Sequence, residues 1–259
     1  MLERIAAAKR AEVGILKQIL RGAALHPHPM RFNPFDGLRD SGGRVAVIAE
    51  IKKASPVKGM LRENFNPLKM ASLYRDHGAR AISYITDEKF FQGEKQLLPA
   101  VRQTAGVPVL RKDFIIDEVQ LRESVLLQAD IVLLIAALHD YSHLMQLVEE
   151  AHRLNLEVLL EVHTREELNL VADLPVCMVG VNNRNLKDFT VDLGNSLRLA
   201  EDLPSSCLHV SESGIRAARD MHLLEEHGFH AALVGEALVA ASQPAVKLTE
   251  LVNYREVEQ

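Results

Sequence analysis

Eight short runs of apolar and β-branched residues alternate with amphipathic segments, and this alternation constrains the fold more than any other feature. The runs are VAVIAEIK (45–52), ARAISYIT (79–86), VPVLRKD (107–113), ADIVLLIA (129–136), LEVLLEVH (156–163), VCMVGVNN (176–183), CLHVSES (207–213) and AALVGEAL (231–238). Segments such as NPLKMASLYRDHG, DYSHLMQLVEEAHRLN and IRAARDMHLLEEHG lie between them, with apolar residues at i, i+3, i+4 and i+7. Strands that alternate with helices pair in parallel through right-handed crossovers. Eight such units close most naturally into a (β/α)8 barrel, with an open doubly wound sheet as the alternative. The length of 259 residues fits one barrel, which takes about 250.

Two further bounds follow from composition. With 47% hydrophobic and 25% charged residues the chain can bury one sizeable core, and its net charge of -5 gives no overall basic footprint for nucleic acid or an anionic membrane. Any anion site must be local. Cys177 and Cys207 sit in apolar runs without a metal-ligand spacing and read as small buried thiols of a cytoplasmic protein. The N-terminus, MLERIAAAKRAEVGILK, is broken by charge too often to be a signal peptide or a membrane span. Residues 24–43 carry three prolines and three glycines and read as irregular chain between an N-terminal helix and the barrel. The expected organisation is therefore an N-terminal helical extension over residues 1–44 and a barrel over 45–259.

Side chains alternate across a strand, so in VAVIAEIK the residues Val45, Val47, Ala49 and Ile51 face the helices, leaving Glu50 and Lys52 inward at the strand's end. In LEVLLEVH the outer set is Leu156, Val158, Leu160 and Val162, and Glu161 points inward. The same arithmetic places Lys112 with Pro108 and Leu110, and Asn182 with Met178 and Gly180. For CLHVSES both faces mix polar and apolar residues and the parity stays open.

One mouth would then gather Glu50, Lys52, Lys112, Glu161, Asn182, Glu212 and Ser213. Charge is costly to bury, and the carboxyl ends of barrel strands are where active sites of this fold lie. Lysines and carboxylates in one partly desolvated mouth shift one another's proton affinities, which suits acid–base catalysis. Gly214 and Gly235 each stand where one of the last two strands turns into a helix, so that backbone amides at a helix N-terminus can approach an anion; this is the usual phosphate position in barrels, with Ser213 as donor and Arg184 or Lys52 as counter-charge. His163, beside Glu161, takes a supporting or solvent-facing place. Lys53, Lys58 and Arg111 read as a solvated face. The scattered histidines form no metal set.

The motifs IAEIKKASPVKG, ITDEKFFQG, PVLRKDFI, LLEVHT, GVNNRNL, VSESGI and LVGEAL stand in the order and spacing of the indole-3-glycerol phosphate synthase family, and the resemblance covers nearly the whole chain. It implies a single (β/α)8 TIM barrel whose N-terminal extension folds across the mouth. It also implies conversion of the phosphorylated small molecule 1-(2-carboxyphenylamino)-1-deoxyribulose 5-phosphate to indole-3-glycerol phosphate, CO2 and water, without a cofactor. Carried over by motif, Lys112 resembles the general acid of ring closure and Glu161 the base or electrostatic partner of the dehydration. Lys52 resembles the residue that orients the substrate carboxylate, with Glu50 positioning it. Asn182, Glu212, Ser213, Ser55, Gly214 and Gly235 resemble residues that hold hydroxyls and phosphate, while Pro56, Phe91 and Phe114 wall the anthranilate ring.

Two positions depart from many relatives: Val57 stands where a serine is common, and Glu236 where some carry serine. A carboxylate beside a phosphate is awkward unless it turns away or serves as a helix N-terminal charge. One barrel's length leaves no room for a fused second enzyme, and a monomer is the favoured state. Another phosphate-binding barrel, such as a sugar-phosphate isomerase, is the enzymatic rival, and a non-catalytic scaffold barrel the other. The two inward lysines count against the first, and the full set of charged strand ends against the second. Removal of Lys112 is expected to cost turnover and leave stability unchanged or higher.

Overall fold

The computed structural model describes residues 2–23, 33, 35–39, 42–62, 65–186 and 188–256. Eight parallel strands form a closed barrel: β1 (Ala46–Ile51), β2 (Ala81–Ile85), β3 (Val109–Lys112), β4 (Ile131–Ile135), β5 (Glu157–Val162), β6 (Met178–Asn182), β7 (Leu208–Glu212) and β8 (Ala231–Val234). Each strand pairs with its neighbours in sequence, and β8 closes on β1 through Ala231 beside Ala46 and Val234 beside Ala49. The alternative of an open sheet is thereby excluded.

The helices, in chain order, are α1 (Leu2–Ile19), α2 (Asp36–Arg39), α3 (Pro67–Asp76), α4 (Glu88–Phe91), α5 (Leu98–Ala105), α6 (Glu118–Leu126), α7 (Tyr141–Arg153), α8 (Arg165–Val171), α9 (Gly194–Leu199), α10 (Ala218–Glu226), α11 (Glu236–Val239) and α12 (Pro244–Val252). Their starts are written in the sequence. Asn66 accepts from the Lys69 N–H ahead of Pro67, Asp117 from Val119, Asp140 from His143 and Thr164 from Glu167, each satisfying an amide that the first helical turn leaves free.

Two apolar layers follow from the strand parity. Val45, Val47, Ala49 and Ile51 pack outward against the helices with Leu156, Val158, Leu160 and Val162. Ala46, Ile48, Leu110, Leu133, Leu159, Met178 and Leu233 fill the barrel axis. The open parity of CLHVSES resolves here, because Leu208 and Val210 belong to the axial layer and Glu212 continues their face. A barrel interior filled in this way is a packed core that closes the floor of the mouth.

The segment before the barrel divides between its two ends. α1 buries Ile5, Ala6, Lys9 and Val13, a spacing that places one helix face on the carboxyl ends of the strands. α2 sits at the opposite end, where Leu38, only 1% exposed, joins the axial layer beside the first residues of the strands. Part of the stretch 24–43 read as irregular chain lies outside the described residues; α2 is a helical turn within it.

Arg111 differs most from its expected solvated place. It is 1% exposed, with its guanidinium donating to Glu123 Oε2 at 2.6 Å, Ser124 Oγ at 2.9 Å, the Gln120 carbonyl at 3.1 Å and Asp113 Oδ2 at 3.2 Å. Its outward position lies beneath α6, which brings the counter-charge that makes burial tolerable. Lys53 and Lys58 are also paired, to Glu94 at 3.1 Å and Glu236 at 2.6 Å, although Lys58 remains exposed. Cys207 is buried as expected, but Cys177, just before β6 at the barrel's amino end, is exposed. Among the described residues no helix is long and apolar enough to cross a membrane.

Candidate active site

One cavity occupies the carboxyl end of the barrel, and all fourteen residues singled out from the sequence line it: Glu50, Lys52, Ser55, Pro56, Phe91, Lys112, Phe114, Glu161, Asn182, Arg184, Glu212, Ser213, Gly214 and Gly235. The strands deliver the charged members. Lys112 ends β3, and its ammonium donates to Glu161 Oε2 of β5 at 3.0 Å and to Glu212 Oε2 of β7 at 2.7 Å. Glu161 and Glu212 are 3% and 1% exposed. Across the mouth Lys52 donates to Glu50 Oε1 at 2.5 Å.

This grouping sets the protonation states. Burial pulls the Lys112 ammonium towards neutrality, but the carboxylates of Glu161, Glu212 and Glu50 outweigh it and hold the group firmly charged. Burial likewise works to raise Glu161, yet Lys112 and His163 keep its carboxyl well below the usual range. Glu212 goes the other way: burial and the adjacent Glu161 push it above the ordinary carboxylate range, with Lys112 offsetting only part. Like charges this close do not ionise independently, so the two carboxylates titrate as a pair.

His163 lies behind this pair. Nε2 is 3.3 Å from Glu161 Oε1 and Nδ1 is 3.3 Å from Glu167 Oε2, and although burial disfavours the imidazolium these contacts raise its pKa to about 10. Of the two places open to it in the sequence, the buried supporting one is occupied.

The glycines have a steric reason that spacing alone did not reveal. A Cβ built on Gly180 would overlap Glu212 Oε1, and one on Gly235 would overlap Glu50 Oε1. Each glycine therefore makes room for an inward carboxylate on a neighbouring strand. Gly180→Ala is expected to displace Glu212 and with it Lys112, lowering kcat on the order of tenfold to hundredfold, which steady-state kinetics beside a melting curve would measure.

The two final turns are not alike. Ser213 and Gly214 both adopt positive φ, 67° and 86°, but α10 starts only at Ala218, and the two amides just before it, those of Arg216 and Ala217, donate to Asp220 Oδ2. The expectation that Gly214 stands at a helix N-terminus is thus corrected: the insertion of Ile215–Ala217 separates turn from helix. Gly235 does directly precede α11. Ser55 Oγ accepts from the Lys58 amide at 3.2 Å, shaping the small hairpin of Ala54–Ser55 with Gly59–Met60. Asn182 Oδ1 accepts from the Arg184 amide at 3.0 Å.

An apolar side of the cavity faces these charges. The Phe91 and Phe114 rings lie 6.1 Å apart, tilted by 35°. Leu133, Ile135 and Leu233 from the axial layer, Leu2 and Ile5 from α1, and Leu186 and Phe189 from the loop after β6 complete it. Strand parity could have supplied the axial three. The two from α1 carried only a helical period. Asp87 and Asp113 also line the cavity, and both ion-pair with Lys9 of α1, at 2.9 and 2.8 Å. Among the described residues no group of three or more His, Cys, Asp and Glu is placed to hold a metal ion.

A TIM barrel whose mouth holds a lysine between two buried carboxylates, a second lysine–carboxylate pair and an aromatic wall defines a class of acid–base barrel enzymes acting on small molecules. The comparisons narrow it. Residues 2–251 match the family described as indole-3-glycerol phosphate synthase. Proteins of that name from Legionella pneumophila (strain Paris) and Koribacter versatilis (strain Ellin345) are 41% identical over 257 residues and 44% identical over 246, covering 98% of both chains in the first case and 95% of this chain and 94% of the relative in the second. The chain belongs to the indole-3-glycerol phosphate synthase family. Solved structures include a 3-hexulose-6-phosphate synthase (TM-score 0.66, 18% identity, 81% of this chain and 99% of that one) and a thiamine phosphate pyrophosphorylase from Pyrococcus furiosus (0.61, 16%, 83% and 97%); at such identities they share the fold alone.

Proposed function

We propose that this chain is an indole-3-glycerol phosphate synthase, a carboxy-lyase of tryptophan biosynthesis that converts 1-(2-carboxyphenylamino)-1-deoxyribulose 5-phosphate to indole-3-glycerol phosphate, CO2 and water. The observation that carries the reading is Lys112, held charged between Glu161 and Glu212 opposite the Glu50–Lys52 pair, in a chain with relatives of that name.

The reaction divides into three steps. The ring carbon bearing the carboxylate attacks the ketone, a C–C bond forms, and the carbonyl π pair moves to oxygen, which takes a proton from Lys112. The bond to the carboxylate then breaks, CO2 leaves, and its electron pair restores the aromatic ring. Finally the new hydroxyl leaves as water with a proton from Lys52, while the neighbouring carbon gives a proton to Glu161. Two protons are supplied and one is taken, so one is consumed overall, which balances the loss of a carboxylate as CO2. His163 fixes Glu161 for its part, and Glu50 orients Lys52. Glu212, assigned from its motif to substrate hydroxyls or phosphate, holds Lys112 instead. Phe91, Phe114 and Pro56 wall the aromatic ring; Ser213, Gly214, Gly235 and Arg184 take the phosphate, with Ser55 shaping the hairpin beside it and Asn182 facing the hydroxyls.

All these groups come from one chain, so the proposed site is complete without a second subunit, and two free cysteines fit a reducing cytoplasm. Substrate labelled in its carboxylate should release one labelled CO2 for each molecule consumed. Consumption without labelled CO2 would point to the sugar-phosphate isomerase reading instead.

A further inference from the structure

Glu236 is a charged residue of the mouth to which the reaction assigns no role. It opens α11 directly after Gly235, at the end of the cavity assigned above to phosphate. Its carboxylate is already engaged by cations: Oε1 is 2.6 Å from Lys58 Nζ and Oε2 is 3.9 Å from Arg184 Nη2. Burial works to raise its pKa, but Lys58, Arg184 and Lys52 hold it below the usual carboxylate range, so it is charged at neutral pH. Lys58 belongs to the turn of the hairpin after β1, whose strands pair Ser55 with Gly59, and Arg184 to the loop after β6. One carboxylate thus joins two segments from different sides of the mouth.

A phosphate bound at Ser213, Gly214 and Gly235 would meet this arrangement at short range. It would bring a second anion beside Glu236, and like charges brought together cost free energy. It would also need the cations that Glu236 holds. We propose that Glu236 is an internal competitor for the substrate's phosphate: it occupies Lys58 and Arg184 in the free protein and yields them when a phosphate-bearing ligand enters, so that phosphate alone binds weakly and a ligand must gain the rest of its affinity elsewhere in the mouth. This rests on the reading of the mouth as a sugar-phosphate site and adds to it a residue that tunes its affinity for phosphate.

The consequence is measurable without catalysis. Inorganic phosphate titrated calorimetrically into the full chain should bind Glu236→Gln more tightly than the unaltered protein, on the order of threefold to fivefold for a part-exposed charge, and the gain should shrink at high salt. Lys58→Met should weaken phosphate binding. In Glu236→Gln/Lys58→Met most of the gain should vanish, because the cation to be released is gone. Lys58 is exposed and Glu236 half-buried, and melting curves of all variants serve as the folding control. Unchanged or weaker binding by Glu236→Gln overturns the proposal, as does a gain that persists in full without Lys58 or phosphate binding by none of the four proteins. Release of labelled CO2 by the unaltered chain decides separately whether the reading of the mouth stands.

Discussion

Lys112→Met should lower kcat by at least about 10²-fold, the usual contribution of a well-placed general acid. An aromatic carbon is a weak nucleophile, and the ketone oxygen it attacks becomes negative as the bond forms, so the barrier depends on a donor at that atom. That contribution corresponds to about 3 kcal/mol or more, at roughly 1.36 kcal/mol per tenfold. Lys53→Met, which removes only a surface pair with Glu94, should leave turnover nearly intact. Equal activity of the two variants would remove Lys112 from its role.

The stability half of this expectation changes once the partners are known. From strand position alone an inward lysine reads as dispensable for folding. In the barrel it neutralises Glu161 and Glu212, both buried, so its removal leaves two carboxylates facing each other with only the imidazolium of His163, behind Glu161, as counter-charge. Their proton affinity then rises above that of the unfolded chain, and the cost is largest where both must ionise. Lys112→Met should therefore melt below the unaltered protein at pH 8 and recover towards it as the pH falls and the pair takes up a proton. A melting difference independent of pH would contradict the coupling.

The second large effect is expected at Lys9. The residue is 2% exposed and its ammonium lies 2.9 Å from Asp87 Oδ2 and 2.8 Å from Asp113 Oδ1, both themselves buried. Burial disfavours the charge, but Asp113 and Asp87 hold it strongly protonated. Removing one partner of such a set typically costs 3–5 kcal/mol, on the order of 6–20 °C in melting temperature for a chain of this size. Lys9→Met should show that loss, and KM should rise because α1 carries Leu2 and Ile5 into the cavity wall. A melting temperature within a degree or two of the unaltered protein would show that α1 is held by its apolar face alone.

These residues mark where the sequence could be read and where it could not. Strand parity recovers which side chains fill the barrel axis, because a period of two leaves one consistent solution for VAVIAEIK and LEVLLEVH, and it brings Glu50, Lys112 and Glu161 to one end. Parity fails at CLHVSES, where His209 and Ser211 face outward and blur the pattern. It also says nothing about partners. Arg111 reads as solvated until α6 supplies Glu123, and Lys9 is an ordinary helix lysine until two aspartates far along the chain meet it. Gly180 reads only as an inward strand residue and Gly235 as a phosphate candidate, and only the neighbouring carboxylates reveal both as clearance. In each case the missing information is a contact between elements, which no local pattern encodes.

The central claim is ring closure at this mouth, and the most direct measurement is fluorescence during turnover. The chain contains no tryptophan, so an indole product appears against a low protein background. Purified protein mixed with 1-(2-carboxyphenylamino)-1-deoxyribulose 5-phosphate should give a steady rise of indole fluorescence in proportion to enzyme, and Lys112→Met at the same concentration should give at most about a hundredth of that rate. No indole signal from the unaltered, folded protein would contradict the account.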